Sequence, residues 1–358
     1  MGKTPLVYDL SQVELKDLFD SWGEPRFRIQ QVWKGLYRHL WSNTDEFTQL
    51  PLTLRQHLQD SLRFDALTPI HISESEDRQT VKTLFRLHDQ RVIEAVLMKY
   101  SPTTHQSKER RTLCISSQVG CAMGCVFCAT GQMGFTRNLS SGEIVAQVLH
   151  YARMLRDQGE KVTNIVLMGM GEPFHNYDQS LAAIDRLNSS EGYNFGARRF
   201  TISTVGIVPM IRRFADEQRQ VNLAISLHAV DDEHRSEMMP VNKKYPIDAI
   251  LRACRYYVEK TKRRITFEWA LIEGINDTEV VAHKLTTLLK GLMCHVNAIP
   301  LNPTRGFEGR PTTRRSAAKF KEILESSGIP CTVRMRRGID IQAGCGQLAG
   351  GFRNDKRV

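Results

Sequence analysis

Three cysteines on one short stretch are the residues best suited to chemistry. Cys121, Cys125 and Cys128 stand in C-A-M-G-C-V-F-C-A-T-G, separated by three and then two residues. Thiolates on one loop can hold a metal centre, but a closed tetrahedral site takes four protein donors. No further Cys or His follows at ligand spacing. Either the fourth donor comes from far along the chain, or one coordination position is left open for a substrate. A plain zinc loop and three buried thiols are the alternatives.

Other chemistry-bearing residues lie outside that loop. Cys345 sits between Gly344 and Gly346, whose backbone freedom allows close approach to a ligand. Cys114, seven residues before the loop, shares a strand face with Ser116, opposite Leu113 and Ile115. Either thiol alone could be a buried structural cysteine, the reading given to Cys254, Cys294 and Cys331. Glu94 interrupts an apolar strand, with Ile93, Ala95 and Leu97 on one face and Val92, Val96 and Met98 on the other. An isolated carboxylate there would have its pKa raised by desolvation and would suit a general base. A salt-bridged or edge-exposed Glu is the competing reading.

The elements that must position these residues follow from periodicity. Residues 1–65 read as a small helical module, with a capping box at Ser11 and Glu14. Phe27, Ile29, Val32, Trp33, Leu36, Tyr37 and Leu40 then recur at helical spacing and are read as core. Residues 66–106 read as a β-hairpin and linker, with T-V-K-T-L-F-R-L and R-V-I-E-A-V-L-M-K-Y flanking H-D-Q. From 107 to 340, six strand–helix units alternate, the first helix carrying a second capping box at Ser140 and Glu143. Such alternation predicts a parallel sheet. Six units fall short of a closed eightfold barrel, so the expected α/β fold is a partial (β/α)6 barrel with an open side. The cysteine loop follows the first strand, at the C-terminal strand ends where barrels place chemistry. Residues 341–358 form a tail that carries Cys345.

The 358 residues are 41% hydrophobic and 25% charged, as in an ordinary globular chain. No apolar run approaches membrane-spanning length, the N-terminus lacks a signal-peptide core, and eight cysteines suit a reducing cytoplasm better than a disulfide scaffold. A monomer is the default. The net charge of +10 favours a polyanionic partner, nucleic acid first, although a basic protein need not bind one. The excess gathers at both ends: Arg26, Arg28, Lys34 and Arg38 near the start, and Arg305 through Arg357 near the finish. Both groups could grip phosphates on one surface.

The spacing of the three cysteines is that of radical S-adenosylmethionine (SAM) enzymes. Together with G-M-G-E-P, I-S-L-H-A, M-M-P-V-N-K-K-Y-P-I and the G-C-G-Q-L tail, it makes the whole chain resemble the RlmN/Cfr family of radical SAM RNA-adenine methyltransferases. The resemblance implies a [4Fe–4S] cluster on Cys121, Cys125 and Cys128, with SAM at the open iron. It also implies two SAM molecules per turnover. One methylates the Cys345 thiolate; the other is cleaved reductively to a radical that activates the S-methyl group for addition to adenine. Cys114 would resolve the covalent adduct through a transient disulfide with Cys345, and Glu94 would accept the ring proton. Gly171, Glu172, Ser203, Ser226, Leu227, His228 and Asn302 match the family's SAM-binding positions. The implied substrate is C2 of a 23S rRNA adenine and of a tRNA anticodon-loop adenine, with electrons from a flavodoxin or ferredoxin. C8 methylation of the same adenine, or a non-enzymatic iron–sulfur RNA-binding or redox-sensing role, are the alternatives. The chemistry has its own logic: C2 lies between two ring nitrogens and has no lone pair to attack a sulfonium methyl, so a radical route is needed.

Overall fold

The structure is a computed structural model and describes residues 4–101 and 109–350. Most of the expected linker at 101–111, and the basic residues Arg353, Lys356 and Arg357, lie outside the described residues.

The first three helices are α1 (Gln12–Ser21), α2 (Phe27–Tyr37) and α3 (Leu52–Ser61). The Ser11–Glu14 capping box forms in full at the start of α1. Ile29, Val32, Trp33, Leu36, Tyr37 and Leu40 are buried as their spacing predicts. Phe27 is instead exposed, with the Arg28 guanidinium 4.8 Å from its ring centre. The module is fastened to the rest of the chain by arginines. Arg153 donates to the Leu40 carbonyl at 2.6 Å, Arg186 to the Tyr8 carbonyl at 2.7 Å, and Arg38 to the Ser190 carbonyl at 2.7 Å.

The hairpin is built into one ten-stranded sheet. Strands β1 (Thr68–Glu74), β2 (Thr80–Arg86) and β3 (Val92–Tyr100) run antiparallel, and β3 pairs in turn with β4 (Arg110–Cys114). A two-stranded ribbon, β5 (Gln118–Gly120) and β6 (Phe135–Asn138), brackets the cysteine loop, which also holds the one-turn helix α4 (Ala129–Gln132). The parallel part of the sheet continues through β7 (Asn164–Leu167), β8 (Phe200–Thr204), β9 (Asn222–Ser226), β10 (Ile265–Leu271), β11 (Cys294–Pro300) and β12 (Cys331–Val333).

Helices return the chain between those strands: α5 (Ser141–Arg156), α6 (Tyr177–Asn188), α7 (Val208–Asp216), α8 (Asp232–Met238), α9 (Ile247–Thr261), α10 (Glu279–Leu289) and α11 (Arg314–Ser326). The six expected strand–helix units are therefore present, and β1 and β12 form the two edges of the sheet rather than closing on each other. It is a partial barrel.

Residues paired in register share a face of a sheet. Lys82 opposes Val96, Glu94 opposes Leu84, and Val96 opposes Cys114, so all of these side chains point to one side. On the parallel strands, Cys114 opposes Val166, Ser226 opposes Glu268 and Glu268 opposes Asn297. This inward face is polar at many positions, whereas a closed barrel fills its interior with branched apolar side chains. The main apolar core lies between sheet and helices, with Tyr151, Phe200, Phe214 and Trp269 almost fully buried.

Candidate active site

A cavity of about 210 Å³ opens at the C-terminal ends of the parallel strands. Cys114, Cys121, Cys125, Cys128 and Cys345 all line it. Five cysteines that span most of the chain thus face one space.

The cysteine loop is held from several sides. Its base is closed by the β5–β6 pairing and by the Cys121 amide donating to the Gly134 carbonyl at 2.9 Å. The Val126 amide donates to the Met238 carbonyl at 3.0 Å, which ties the loop to α8. A Cβ at Gly131 would lie 2.8 Å from the Cys125 carbonyl oxygen, so only glycine lets α4 fold back this tightly. Burial pushes the Cys121 thiol up to about 12, and the Cys125 thiol is also raised, first by burial and then by the neighbouring thiols. A positive centre is what would turn them into thiolates. Among the described residues, no three Cys, His, Asp or Glu converge as ligands of a single ion do. An iron–sulfur cluster does not require that convergence, because each thiolate binds its own iron. The donor set, all sulfur and facing a cavity, fits a cluster.

The expected SAM positions surround the same space. Gly171 turns the chain after β7 with φ +100°, and a Cβ there would stand 2.5 Å from that of Gln118. Gln118 accepts from the Glu172 amide at 2.8 Å. The Glu172 carboxylate is buried and accepts from the Phe174 amide at 2.9 Å and the Val205 amide at 2.8 Å. Burial raises it to about 7 even so. A ligand cation beside it would restore the charged form. Ser203, Ser226, His228 and Asn302 also line the cavity. His228 takes a left-handed backbone, φ +61°, and its Nδ1 accepts from the Ala270 amide at 2.9 Å. Burial, helped by Arg235, lowers it to about 3, so it stays neutral with Nε2 as the donor. Leu227 differs from the rest: it is fully buried in the core and lines no part of the cavity. Asn302 supplies the clearest vacancy for a ligand. Its Nδ2 donates to the Cys345 carbonyl at 3.0 Å, while its Oδ1 is buried without a hydrogen-bond partner. A buried orphan acceptor beside a cavity calls for a donor from whatever binds there.

Cys345 stands on a strap that crosses the cavity mouth. The Gly346 carbonyl accepts from the Ala129 amide at 2.7 Å, and the Leu348 carbonyl from the Thr130 hydroxyl at 2.6 Å. Gln347 donates to the Pro303 carbonyl at 3.0 Å, and Gly344 leaves the space that Asn302 fills. The Cys345 side chain is open to the cavity. Surrounding protein still pushes its thiol up to about 12, with Glu268 and Cys128 adding to the effect of burial and Arg334 opposing it. Cys114 is likewise raised to about 12, first by burial and then by Cys345.

Glu94 is not the isolated carboxylate that its apolar flanks suggest. Its Oε1 pairs with Lys82 at 3.2 Å, and its Oε2 accepts from the amides of Ala349 at 2.8 Å and Gly350 at 3.3 Å. Its side chain holds the strap, beside the cavity rather than among the residues that line it.

Three groups escaped sequence reading. Arg334, which the sequence offers only as part of a basic end, follows β12 and lines the cavity. It donates to Asn297 Oδ1 at 2.8 Å, while Asn297 donates to Glu268. Arg235 is fully buried under the strand ends, bonded to the carbonyls of Val205, Ser226 and Leu227 and to Asn242. Lys82 is the third. For Arg235 a signal existed in M-M-P-V-N-K-K-Y, whose Asn242 and Tyr245 are its partners. Cys254, Cys294 and Cys331 are buried away from the cavity lining.

Comparison with known proteins gives concordant matches. Residues 115–285 match the radical SAM superfamily, and residues 7–63 match the ribosomal RNA large subunit methyltransferase N-terminal domain. The dual-specificity RNA methyltransferase RlmN 1 of Myxococcus xanthus is 49% identical over 342 residues, covering 96% of this chain and 93% of that protein. The ribosomal RNA large subunit methyltransferase N of Nitrosopumilus maritimus is 44% identical over 343 residues, covering 96% and 97%. The crystal structure of a radical SAM methyltransferase from Sphaerobacter thermophilus superimposes with a TM-score of 0.93 at 49% identity, covering 97% of this chain and all of that one.

Proposed function

The chain belongs to the RlmN family of radical SAM RNA methyltransferases, and on that premise we propose that it methylates C2 of an adenine in 23S rRNA and in a tRNA anticodon loop, with Cys345 carrying the carbon. The observation that supports this reading best is the meeting of Cys345, Cys114 and the three loop cysteines around one cavity.

Cys121, Cys125 and Cys128 would hold a [4Fe–4S] cluster, and Glu172, Ser203, Ser226, His228 and Asn302 would hold SAM. Gly171 leaves the space that Gln118 takes in holding the Glu172 amide, and Leu227 supports the pocket from the core. When bound, this pair supplies a sulfonium methyl and, on reduction, a carbon-centred radical. Everything else falls to the chain's own residues. The Cys345 sulfur takes the methyl group as a nucleophile, and Arg334 across the cavity favours its thiolate. Cys345 then joins the activated carbon to C2 of the adenine. Once the adduct has given up one electron together with the ring proton, Cys114 attacks the Cys345 sulfur. A disulfide forms, the carbon–sulfur bond pair stays with the carbon and is protonated to complete the methyl group, and a thiol reductant would return the disulfide to two thiols before the next turnover. Glu94 is the family-matched acceptor of the ring proton and already bounds the strap that carries Cys345.

The adenine enters unstacked, as a base must to reach an enclosed pocket. Residues 1–65 and the basic residues from Arg305 onward would grip the RNA backbone, around a catalytic core at 107–340 that is joined through the segment 66–106 and followed by the tail 341–358 carrying Cys345. A flavodoxin or ferredoxin would supply electrons. We place the protein in the cytoplasm as a monomer; all eight cysteines are free thiols, and among the described residues no helix is long and apolar enough to cross a membrane.

Nucleoside mass spectrometry with NMR of the product tests the regiochemistry. A 2-methyladenosine product is expected from both RNAs. An 8-methyl product would overturn the C2 assignment, and failure to form 5′-deoxyadenosine from SAM and a reductant would favour an iron–sulfur sensor.

A further inference from the structure

The strap from Arg334 to Gly350 spans the open side of the barrel, from the end of β12 to the β1–β2 hairpin and the adjoining strand β3. Its attachment to that hairpin is specific. The Asp340 carboxylate accepts from the Glu76 amide at 2.9 Å, and Arg337 bonds Gln79 and the Lys99 carbonyl. Deeper in, Lys82 and Glu94 share the inward face of β2 and β3, with side chains only 13% and 4% exposed. Lys82 Nζ reaches both Glu94 Oε1 at 3.2 Å and the Gln342 carbonyl at 3.3 Å. Glu94 Oε2 reaches the Ala349 and Gly350 amides. The pair therefore grips the strap at two points, one three residues before Cys345 and one four to five residues after it.

We propose that Lys82 is a positioning residue: with Glu94 it forms a two-point clamp that fixes the span 342–350 and so sets where Cys345 stands over the cavity. This rests on the reading of Cys345 as the carbon carrier only for its consequence in catalysis; the clamp itself is a property of the chain alone. Three physical facts favour it. The ion pair is buried, where losing one partner leaves a charge unmatched and is costly. Both of its ends contact strap backbone, so the grip does not depend on strap side chains. Beyond the clamp, the strap around Cys345 is glycine-rich, with Gly344, Gly346 and Gly350 giving little stiffness of its own.

Amide hydrogen exchange on the full-length, cluster-free chain tests the clamp without any catalytic readout. Lys82→Met should speed exchange across 344–350 by about tenfold, the effect of one lost interaction of ordinary strength. Exchange in α5 and β8 should stay as in the parent. Lys82→Arg, which keeps the charge and a donor, should restore protection. The double variant Lys82→Met/Glu94→Leu removes both charges and leaves none buried alone, so it remains folded even if Lys82→Met does not. It should still show fast exchange confined to 344–350. In the reconstituted enzyme, Lys82→Met should lower kcat for RNA methylation with the RNA KM unchanged, and Lys82→Arg should recover it. Parental protection of 344–350 in the folded double variant overturns the clamp. So does a Lys82→Arg variant that exchanges as fast as Lys82→Met. An enzyme inactive toward RNA but with the expected exchange pattern would instead count against the functional reading alone.

Discussion

Replacing Arg235 with methionine should separate the support of the SAM pocket from its lining. Arg235 touches nothing in the cavity, yet its guanidinium joins three strand ends. Nε donates to the Leu227 carbonyl at 3.0 Å, and Nη2 to the carbonyls of Val205 at 2.7 Å and Ser226 at 3.1 Å. Nη1 reaches Asn242 Oδ1 at 2.8 Å and the Tyr245 carbonyl at 3.4 Å. Hydrogen bonds to a charged group contribute about 1.5–3 kcal/mol each. Four good ones at the low end give about 6–8 kcal/mol. Against this, burial lowers the Arg235 pKa to about 10, which marks a desolvation cost of about 3 kcal/mol. Methionine removes both, so the net loss should be about 4 kcal/mol. At about 1.3 °C per kcal/mol for a chain of this size, the melting temperature should fall by about 5 °C. Lysine should not rescue it, because one ammonium cannot span the fork. Thermal melts give the stability. Calorimetric titration of SAM gives the second result: affinity should fall at least about tenfold, because Ser226 and His228 flank the released Leu227 carbonyl. A melting temperature within about 2 °C of the parent would refute the reasoning, since the desolvation cost would then equal the bonds.

Two further variants probe local physics. His150 packs edge-on against Phe85 and Tyr151, and burial, with Arg153, lowers its pKa to about 4. The unfolded chain therefore takes up this proton first. The associated stability is full above the unfolded pKa of about 6.5 and declines by about 3 kcal/mol as pH falls to about 4. His150→Phe should remove that part of the acid decline in urea midpoints measured against pH; parallel curves for the two proteins would refute it. Gly171→Ala combines a φ of +100° with a Cβ 2.5 Å from that of Gln118 and 2.8 Å from its amide. It should cost at least about 2 kcal/mol and weaken SAM binding through the Gln118–Glu172 contact, both readable by melting and titration. An unchanged melting point would contradict it.

Local signals carried much of the site. Cys121, Cys125 and Cys128 lie on one loop, so their spacing pointed to a metal centre, while the open position came from the resemblance to radical SAM enzymes. Both capping boxes form as written, Ser11 with Glu14 and Ser140 with Glu143, because their partners are three residues apart. The six strand–helix units were legible because each carries its own period. Long-range pairing was not. The polar, edge-lying β1 (T-P-I-H-I-S-E) shows little alternation, and nothing local says that β3 pairs with β4. Glu94 shows the same limit: its flanks give its face, while Lys82 and the Ala349 amide come from distant segments. Charge count also overstated the free basic surface. Arg38, Arg153 and Arg186 spend donors on carbonyls that dock the helical module.

The role of Cys345 is tested most directly by single-turnover methylation of RNA with the Cys345→Ala enzyme, reconstituted with its cluster and supplied with SAM and reductant. The variant should keep the absorbance of its cluster and form no methylated adenine, while the parent protein forms it and shows one added methyl group on the Cys345 peptide. Methylated adenine from Cys345→Ala at the parental level would contradict a carbon carried on that sulfur.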